Sequence, residues 1–295
     1  MLIRPYRSQD ANEVSEISAT CARSEADFAL NPLWESEEEL EAEFARFDID
    51  PEFHLLVADS GDGEILGFAG FLREANSDVA GLVCPVVQRG GRRRGVGGEL
   101  LRAAQDLAVD DLGIELVTAG IGTRNRAGYS LLASQGYRPV RQHFFMRCDA
   151  RPVVPELPVD GLTFAVADAG DADEIHAIYR DCGFDLRSPE SMHACMTDGR
   201  HLHFVARHEG RTVAFTEFQT HWRQRVWVAF VGVATDLRGR GIGSAIVAWA
   251  LEQRFESGTE SALLLLSPAN RTALRSYEKV GFRRSRLIDV LEKSL

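Results

Sequence analysis

The sequence has little of what membranes, disulfide frameworks and nucleic acids require. No apolar run approaches the ~18 residues of a membrane span, and the first residues lack the layout of a signal peptide. The five cysteines are an odd number without close pairing, which argues against disulfides and for a reducing compartment. Lys and Arg (33) are fewer than Asp and Glu (44), so the net charge of −11 disfavours a nucleic-acid partner. We therefore expect a cytoplasmic protein that binds neither membranes nor nucleic acids.

The composition is that of an ordinary globular protein, with 45% apolar and 26% charged residues. A chain of 295 residues is long enough for two domains of common size. The acidic balance weakly favours cationic substrates, although the needs of solubility also explain it.

The two halves of the chain repeat the same motifs in the same order. An acidic segment occurs as Asp10-Ala11-Asn12-Glu13-Val14 and again as Asp171-Ala172-Asp173-Glu174-Ile175. An Arg-x-x-Gly-x-Gly motif follows as Arg92-x-x-Gly95-x-Gly97 and as Arg238-x-x-Gly241-x-Gly243. Then come Asn125 with Gly136-Tyr137, matched by Asn270 with Gly281-Phe282. Three matches in one order indicate a tandem duplication.

A proline-rich stretch separates the two copies. Residues 151–161 hold three prolines within seven residues, which excludes a helix or a central strand there. We predict domains at residues 1–150 and 162–295, joined by a semi-rigid, extended linker at 151–161. The two halves are expected to pack on each other.

The second half has a regular order of strands and helices, given by apolar period and turn signals. The predicted strands are residues 162–167, 201–206, 212–220, 226–233, 261–266 and 287–291. The predicted helices are residues 171–180, 189–196, 243–255 and 270–280.

A glycine-rich basic loop joins the predicted strand 226–233 to the helix that follows. A helix N-terminus offers unpaired N–H groups and the positive end of its dipole, which favour anions. Glycine lets the backbone approach a ligand closely, and arginine matches the geometry of phosphate. The loop has neither Rossmann spacing nor the Gly-Lys-Ser/Thr of a P-loop. The predicted anion-binding residues are Arg238, Gly239, Arg240, Gly241, Gly243 and Ser244.

This strand, loop and helix resemble the acyl-CoA pyrophosphate loop of the GNAT superfamily of N-acetyltransferases. The second half matches the superfamily pattern along its length and the first half matches from about Leu2 to Arg147, so the chain is identified as a tandem GNAT protein. The resemblance implies an α/β fold of the mixed type, with a mostly antiparallel sheet flanked by helices. It also implies that residues 226–233 and 261–266 splay apart to hold acetyl-CoA, with pantetheine pairing near Val231 and Val233.

Acetyl transfer needs a neutral amine, a proton donor for the departing thiolate and a proton acceptor for the amine. Tyr277 is our candidate for the acid. It lies nearly two helical turns after Asn270, so both side chains share one helix face. Asn270 is expected either to cap this helix or to bind pantetheine.

Glu217 is our candidate for the general base, although a solvated face of its strand is an alternative. His201 and His203 share a strand face and suggest a metal pair. No Cys or carboxylate is expected to complete such a site, so we predict no metal.

The first half departs from the pattern at the position of the acid, because Leu132 stands where the second half has Tyr277. Its motif residues Arg92, Gly95 and Gly97 remain candidates for binding CoA. The preceding residues 83–88 leave the register of this loop open, since they allow a few inserted residues before Arg92. We expect a degenerate first domain and a catalytic second domain.

The prediction is therefore an acetyl-CoA-dependent N-acetyltransferase that acts on the primary amine of a small molecule or peptide. The alternatives are an acyl-CoA-binding regulatory or docking module without significant turnover and a structural pseudo-enzyme.

Overall fold

The computed structural model describes every residue except 75, 76, 155, 157 and 158. It divides into two compact units: unit 1 comprises Met1–His143 and Arg286–Leu295, and unit 2 comprises Phe144–Ser285. Part of the predicted linker, residues 155, 157 and 158, lies outside the described residues. None of the helices formed by the described residues has the length and apolar character that crossing a membrane requires.

The first part of the chain alternates strands and helices. Its strands are β1 (Leu2–Pro5), β2 (Leu55–Asp59), β3 (Ile65–Leu72), β4 (Val79–Val87), β5 (Leu116–Gly122) and β6 (Arg138–Cys148). Its helices are α1 (Ala11–Arg23), α2 (Glu37–Ala45), α3 (Pro51–His54), α4 (Val96–Asp110) and α5 (Arg126–Ser134).

The second part repeats this order. Its strands are β7 (Thr163–Val166), β8 (His201–His208), β9 (Arg211–Gln219), β10 (Arg225–Val233), β11 (Ser261–Leu266) and β12 (Arg283–Ser294). Its helices are α6 (Ala172–Asp181), α7 (Pro189–Thr197), α8 (Ile242–Glu256) and α9 (Arg271–Val280). Each strand and helix predicted for the second half is present, and most ends lie within two residues of the prediction, although β12 is much longer than predicted.

Each unit is built on one sheet. The strand order is β1-β2-β3-β4-β5-β12 in unit 1 and β6-β11-β10-β9-β8-β7 in unit 2. Neighbouring strands in both sheets are antiparallel, except for the parallel pairs β4–β5 and β10–β11. The predicted mixed, mostly antiparallel sheet flanked by helices is confirmed.

The closing strand of each sheet comes from the other half of the sequence. Residues Ile288–Ser294 of β12 pair with β5 in unit 1, and residues Phe144–Cys148 of β6 pair with β11 in unit 2. The predicted domains, residues 1–150 and 162–295, instead place β6 in the first domain and β12 in the second. Because both strands follow the same helix and Gly-aromatic turn, periodicity alone does not reveal which sheet each one joins.

Helix α8 is apolar on most of its surface because it is covered on several sides. It packs against β8, β9, β10 and α9. Its buried residues are Ile242, Ser244, Ala245, Ile246, Val247, Ala248, Ala250 and Leu251. This packing fixes the N-terminus of α8 beside the end of β10.

The two parallel pairs separate after a short distance. In unit 2, Arg225–Trp227 pair with Ser261–Leu263, and the remaining residues of β10 and β11 are not paired with each other. A β-bulge between Val228 and Phe230 lies where the two strands part. In unit 1, Val79–Gly81 pair with Leu116–Thr118, and β4 and β5 then diverge in the same way. The splay that the family resemblance implied for the second half is present.

Candidate functional site

A cleft of about 650 Å³ opens between the diverging strands of unit 2. Its walls come from the ends of β10 and β11, the loop before α8, the first turn of α8 and one face of α9. The predicted residues among its lining are Val231, Val233, Arg238, Gly239, Gly241, Gly243, Ser244, Asn270 and Tyr277. The structure thus brings together all of the cofactor-binding positions predicted in the second half except Arg240.

The loop before α8 is shaped by two glycines in the left-handed region. Gly239 has φ +79° and Gly241, at the N-cap of α8, has φ +88°, which residues with a Cβ rarely adopt. No side chain caps the helix. The first N–H groups of α8 are therefore available to an anion in the cleft.

The two arginines of the loop differ in their surroundings. The Arg238 Nε donates to the Val233 carbonyl oxygen at 2.9 Å, and its Nη2 donates to the Asp181 carbonyl oxygen at 3.0 Å. Arg238 therefore braces the loop against the end of β10 while its surface lines the cleft. Arg240 is exposed and is not among the described residues that line the cleft.

Asn270 and Tyr277 lie on the same side of α9. The Asn270 Oδ1 accepts a hydrogen bond from the Ala273 N–H at 3.0 Å, so Asn270 caps the helix and also lines the cleft. The half-buried ring of Tyr277 packs edge-on against Phe282, with ring centroids 5.4 Å apart. Burial raises the pKa of the Tyr277 phenol well above its ordinary value of 10, so the hydroxyl keeps its proton at neutral pH.

Glu217 is fully buried and is neither on a solvated face nor among the described residues that line the cleft. Both of its oxygens accept hydrogen bonds from Arg187, and Oε1 lies 2.9 Å from the His201 Nδ1. Burial alone would raise the pKa of this carboxyl. The contacts with His201, His203 and Arg187 outweigh burial and hold the pKa well below its usual range. Glu217 is therefore ionised but weakly basic.

His203 belongs to the same buried cluster. Its Nε2 lies 3.2 Å from Oε2 of Glu217, and ligand atoms of His203, Glu217 and Cys195 all lie within 4.8 Å of one another. The prediction that no Cys or carboxylate accompanies the histidines is wrong, because α7 and β9 bring both to this point. The Arg187 guanidinium already supplies positive charge to this carboxylate, which opposes a cation there.

Sequence patterns missed Arg187, which follows α6 and belongs to no motif. Its guanidinium lies 5.2 Å from the ring of Phe230, which lines the cleft beside the β10 bulge. A buried arginine near a cleft needs a carboxylate partner, but thirty residues separate Arg187 from Glu217 and no spacing rule connects them.

Unit 1 repeats the loop without an insertion. The Arg92 Nε donates to the Val87 carbonyl oxygen at 2.9 Å, as Arg238 does to Val233. Gly95 has φ +85° at the N-cap of α4, like Gly241 before α8. Arg92 is therefore the counterpart of Arg238, which settles the register that the sequence left open.

The cleft of unit 1 is smaller, at about 580 Å³, and lacks the tyrosine. Leu132, at the position of Tyr277, is only 1% exposed. Arg92, Gly95, Gly97 and Asn125 line this cleft.

Comparison with known proteins agrees with this arrangement. The model of the acetyltransferase (GNAT) family matches residues 17–137 and, a second time, residues 172–282. The chain belongs to the GNAT acetyltransferase family. Like tandem members such as mycothiol synthase, it carries two GNAT regions, and the predicted N-acetyltransferase class is confirmed.

Relatives found by sequence support the same family. The mycothiol acetyltransferases of Thermomonospora curvata and Actinosynnema mirum are each 29% identical to this GNAT protein, over 252 and 247 residues. These matches cover 79% and 78% of this chain and 80% of each relative.

Solved structures show the same fold. A GCN5-related N-acetyltransferase from Sphaerobacter thermophilus has a TM-score of 0.81 at 22% identity, covering 99% of this chain and 95% of that one. A tandem GNAT protein from the clavulanic acid biosynthesis pathway has a TM-score of 0.69 at 17% identity, covering 99% and 98%.

Proposed function

We propose that unit 2 binds acetyl-CoA in its open cleft and transfers the acetyl group to a primary amine. The observation that carries this proposal is that the uncapped N-terminus of α8 and the hydroxyl-bearing residue Tyr277 line one cleft between diverging strands. GNAT acetyltransferases use acetyl-CoA, which supports the choice of cofactor. The relatives named mycothiol acetyltransferases favour a small-molecule amine over a peptide as the acceptor.

The cleft offers separate positions for the two ends of acetyl-CoA. Its pyrophosphate suits the amides at the start of α8, including those of Gly243 and Ser244, where the helix dipole favours negative charge. Its pantetheine amides suit the free edge of β10 near Val231 and Val233, as an added strand. The thioester then lies toward the bulge where β10 and β11 part.

The reaction is a direct displacement. The amine nitrogen forms a bond to the thioester carbonyl carbon, and the carbon–sulfur bond breaks as the tetrahedral intermediate collapses. The departing thiolate takes the hydroxyl proton of Tyr277, which solvent then restores. The raised pKa of Tyr277 keeps the proton in place until the thiolate forms.

We propose that Glu217 does not accept the amine proton itself but orients the residue that does. Its lowered pKa makes it a weak base. His201 is 22% exposed, and a neutral ring that donates Nδ1–H to Glu217 carries its lone pair on Nε2. His201, like Glu217, is not among the described residues that line the cleft, so the amine proton reaches its Nε2 through water. Glu217 holds the ring in orientation, and Arg187 balances the carboxylate.

The test is acetyl-CoA binding by calorimetry together with CoA release in a panel of small amines and peptides. We expect binding, turnover with at least one small amine, and loss of binding in Gly243→Val. A Cβ at Gly243 would meet the nearest Val233 carbon at an ordinary 3.4 Å, so this variant keeps the fold while crowding the cleft. Gly241→Val would also crowd the cleft, but it strains a left-handed residue.

The outcomes separate the alternatives. Unchanged affinity in a folded Gly243→Val variant would remove the loop from the binding site. Tight binding without turnover on any acceptor would favour the acyl-CoA-binding module over the enzyme.

A further inference from the structure

The split between β4 and β5 in unit 1 is filled by the chain itself. Residues 27–31, which we call the occluding segment, run between the two strands beyond the last β4–β5 pair. The Cys84 N–H donates to the Asn31 carbonyl oxygen at 2.9 Å, which joins the segment to β4. The Leu30 N–H donates to the Gly120 carbonyl oxygen at 2.9 Å, which joins it to β5. The segment thus takes the place of a strand in the gap.

Further contacts make this placement antiparallel and continuous. The Gly122 N–H donates to the Phe28 carbonyl oxygen at 3.0 Å, and Ala29 forms a bridge with Ile121. Phe28 and Ala29 are 1% and 2% exposed. The segment therefore occupies the edges on which an added strand of pantetheine would pair in the other unit.

Arg92, which was predicted to bind CoA, and Asn125, which was not, both hold this segment. The Arg92 Nη1 donates to the Asp27 carboxylate at 2.8 Å. The Asn125 Nδ2 donates to the Asp27 and Phe28 carbonyl oxygens at 2.9 and 3.3 Å. Asn270, the counterpart of Asn125, is exposed and lines the open cleft instead.

The sequence of unit 1 is adapted to the segment at two positions. Gly120 leaves room for it, because a Cβ there would lie 2.7 Å from the Leu30 Cβ, whereas its counterpart Leu265 lines the cleft of unit 2. Pro85 stands where unit 2 has Val231, so β4 lacks the N–H that β10 offers in its gap. No described residue of β5 lines the unit 1 cleft, whereas Leu265 and Leu266 of β11 line the cleft of unit 2.

We infer that the occluding segment is a built-in substitute for the acyl-pantetheine arm and that unit 1 accepts no acetyl-CoA. The occluding segment permanently fills the gap between β4 and β5, whereas acetyl-CoA fills the corresponding gap in unit 2. This inference rests on the proposed function, since it compares unit 1 with the acetyl-CoA cleft proposed for unit 2. Arg92 and Asn125 then bind the protein's own chain in place of a cofactor. On this inference, the sequence-based prediction that Arg92, Gly95 and Gly97 bind CoA does not hold.

The first test is the stoichiometry of acetyl-CoA binding to the full chain, by calorimetry and native mass spectrometry. We expect one acetyl-CoA per chain, none for Gly243→Val and one for the matched unit 1 variant Gly97→Val. A Cβ at Gly97 would lie 3.3 Å from the end of the flexible Leu131 side chain and in ordinary contact with Val87 at 3.6 Å and Pro85 at 4.0 Å. Two molecules per chain, or a single molecule whose binding Gly97→Val abolishes, would overturn the inference. No binding to the wild-type chain would overturn the proposed function instead.

The second test follows the segment directly by hydrogen exchange and does not depend on binding. The amides of Leu30, Cys84 and Gly122 should exchange slowly without ligand, and acetyl-CoA should change their rates by less than about twofold. Gly120→Leu should displace the segment and speed exchange at Leu30 by roughly tenfold or more. Rapid exchange at Leu30 that acetyl-CoA slows, or no effect of Gly120→Leu, would show that the segment is not a fixed occupant.

Discussion

Removing the hydroxyl of Tyr277 distinguishes a catalytic role of this residue from a packing role. Tyr277→Phe keeps the ring against Phe282, so acetyl-CoA affinity should stay near that of the wild type. If the hydroxyl protonates the thiolate, kcat should fall by about 10²-fold, the low end for a general acid, because a thiolate is a fair leaving group. The measurement is kcat at saturating acceptor. Tyr129→Phe in unit 1 is the matched control, and a kcat for Tyr277→Phe within about threefold of wild type would exclude the acid role.

His201 should carry the proton from the amine. His201→Gln keeps a polar side chain beside Glu217 and removes the ring lone pair, so we expect kcat/KM to fall by about 10²-fold. The measurement is kcat/KM for the acceptor, with acetyl-CoA affinity as the check that the cleft is intact. A kcat/KM within about threefold of wild type would assign the proton to another group, such as water.

Glu217 neutralises a buried guanidinium, so its removal should affect the stability of the protein. Glu217→Gln leaves Arg187, whose side chain is 14% exposed, without a counter-charge. Breaking a buried pair in this way costs about 3–5 kcal/mol of the free energy of unfolding. Urea unfolding measures this, with Glu99→Gln as the control, because both side chains of the Glu99–Arg102 pair are at least half exposed and the pair contributes at most about 1 kcal/mol.

The lowered pKa of Glu217 also predicts how the loss of stability in Glu217→Gln depends on pH. Because the pKa of Glu217 is lowered from 4.5, the unfolded chain takes up this proton before the folded chain does as the pH falls. The stabilisation by Glu217 is therefore complete above pH 4.5, declines below it and disappears below the folded pKa. The gap in stability between wild type and Glu217→Gln should narrow below pH 4.5, and a constant gap would contradict the assignment.

At the scale of elements, α5 and α9 are equivalent helices of the two units that lie in different surroundings. Both start with an asparagine cap, but Asn125 is 8% exposed and also binds the occluding segment, whereas Asn270 faces the cleft. Asn270→Ala should cost about 1 kcal/mol, or roughly fivefold faster exchange of α9 amides. Asn125→Ala should cost about 2–3 kcal/mol, because it also removes the two hydrogen bonds that Asn125 donates to the carbonyl oxygens of Asp27 and Phe28. Equal effects on the two helices would contradict the contacts of Asn125.

The elements also show which features a sequence can predict. Strands such as β11 and the loop around Gly241 follow from local period and turn chemistry, and each is found where it was predicted. The cluster of Arg187, Glu217 and His201 comes from the loop before α7 and from two strands, so no single period or spacing rule connects its members. The occluding segment has no apolar period of its own. Its role becomes visible only in the structure, where it lies in the gap between β4 and β5.

At the scale of the whole molecule, the closing strands decide which fragment of the chain is complete. A fragment of residues 144–285 contains every strand of unit 2, whereas residues 162–295 lack β6 and leave the edge of β11 bare. An exposed, apolar strand edge favours aggregation. We expect the first fragment to be soluble and to turn over acetyl-CoA, and the second to aggregate, as size-exclusion chromatography and CoA release would show. Equal behaviour of the two would mean that β6 adds nothing to unit 2.

The position of β12 has a consequence for biosynthesis. A ribosome makes every residue of unit 2 before it makes Ile288–Ser294, the strand that β5 requires. Unit 1 therefore keeps one open strand edge while the nascent chain lengthens, whereas unit 2 needs no residue beyond Ser285. Domains usually fold from the N-terminus onward during synthesis, but unit 1 cannot complete its sheet until unit 2 has been synthesised. A translation error that stops synthesis before residue 286 therefore damages the part of the protein that was made first.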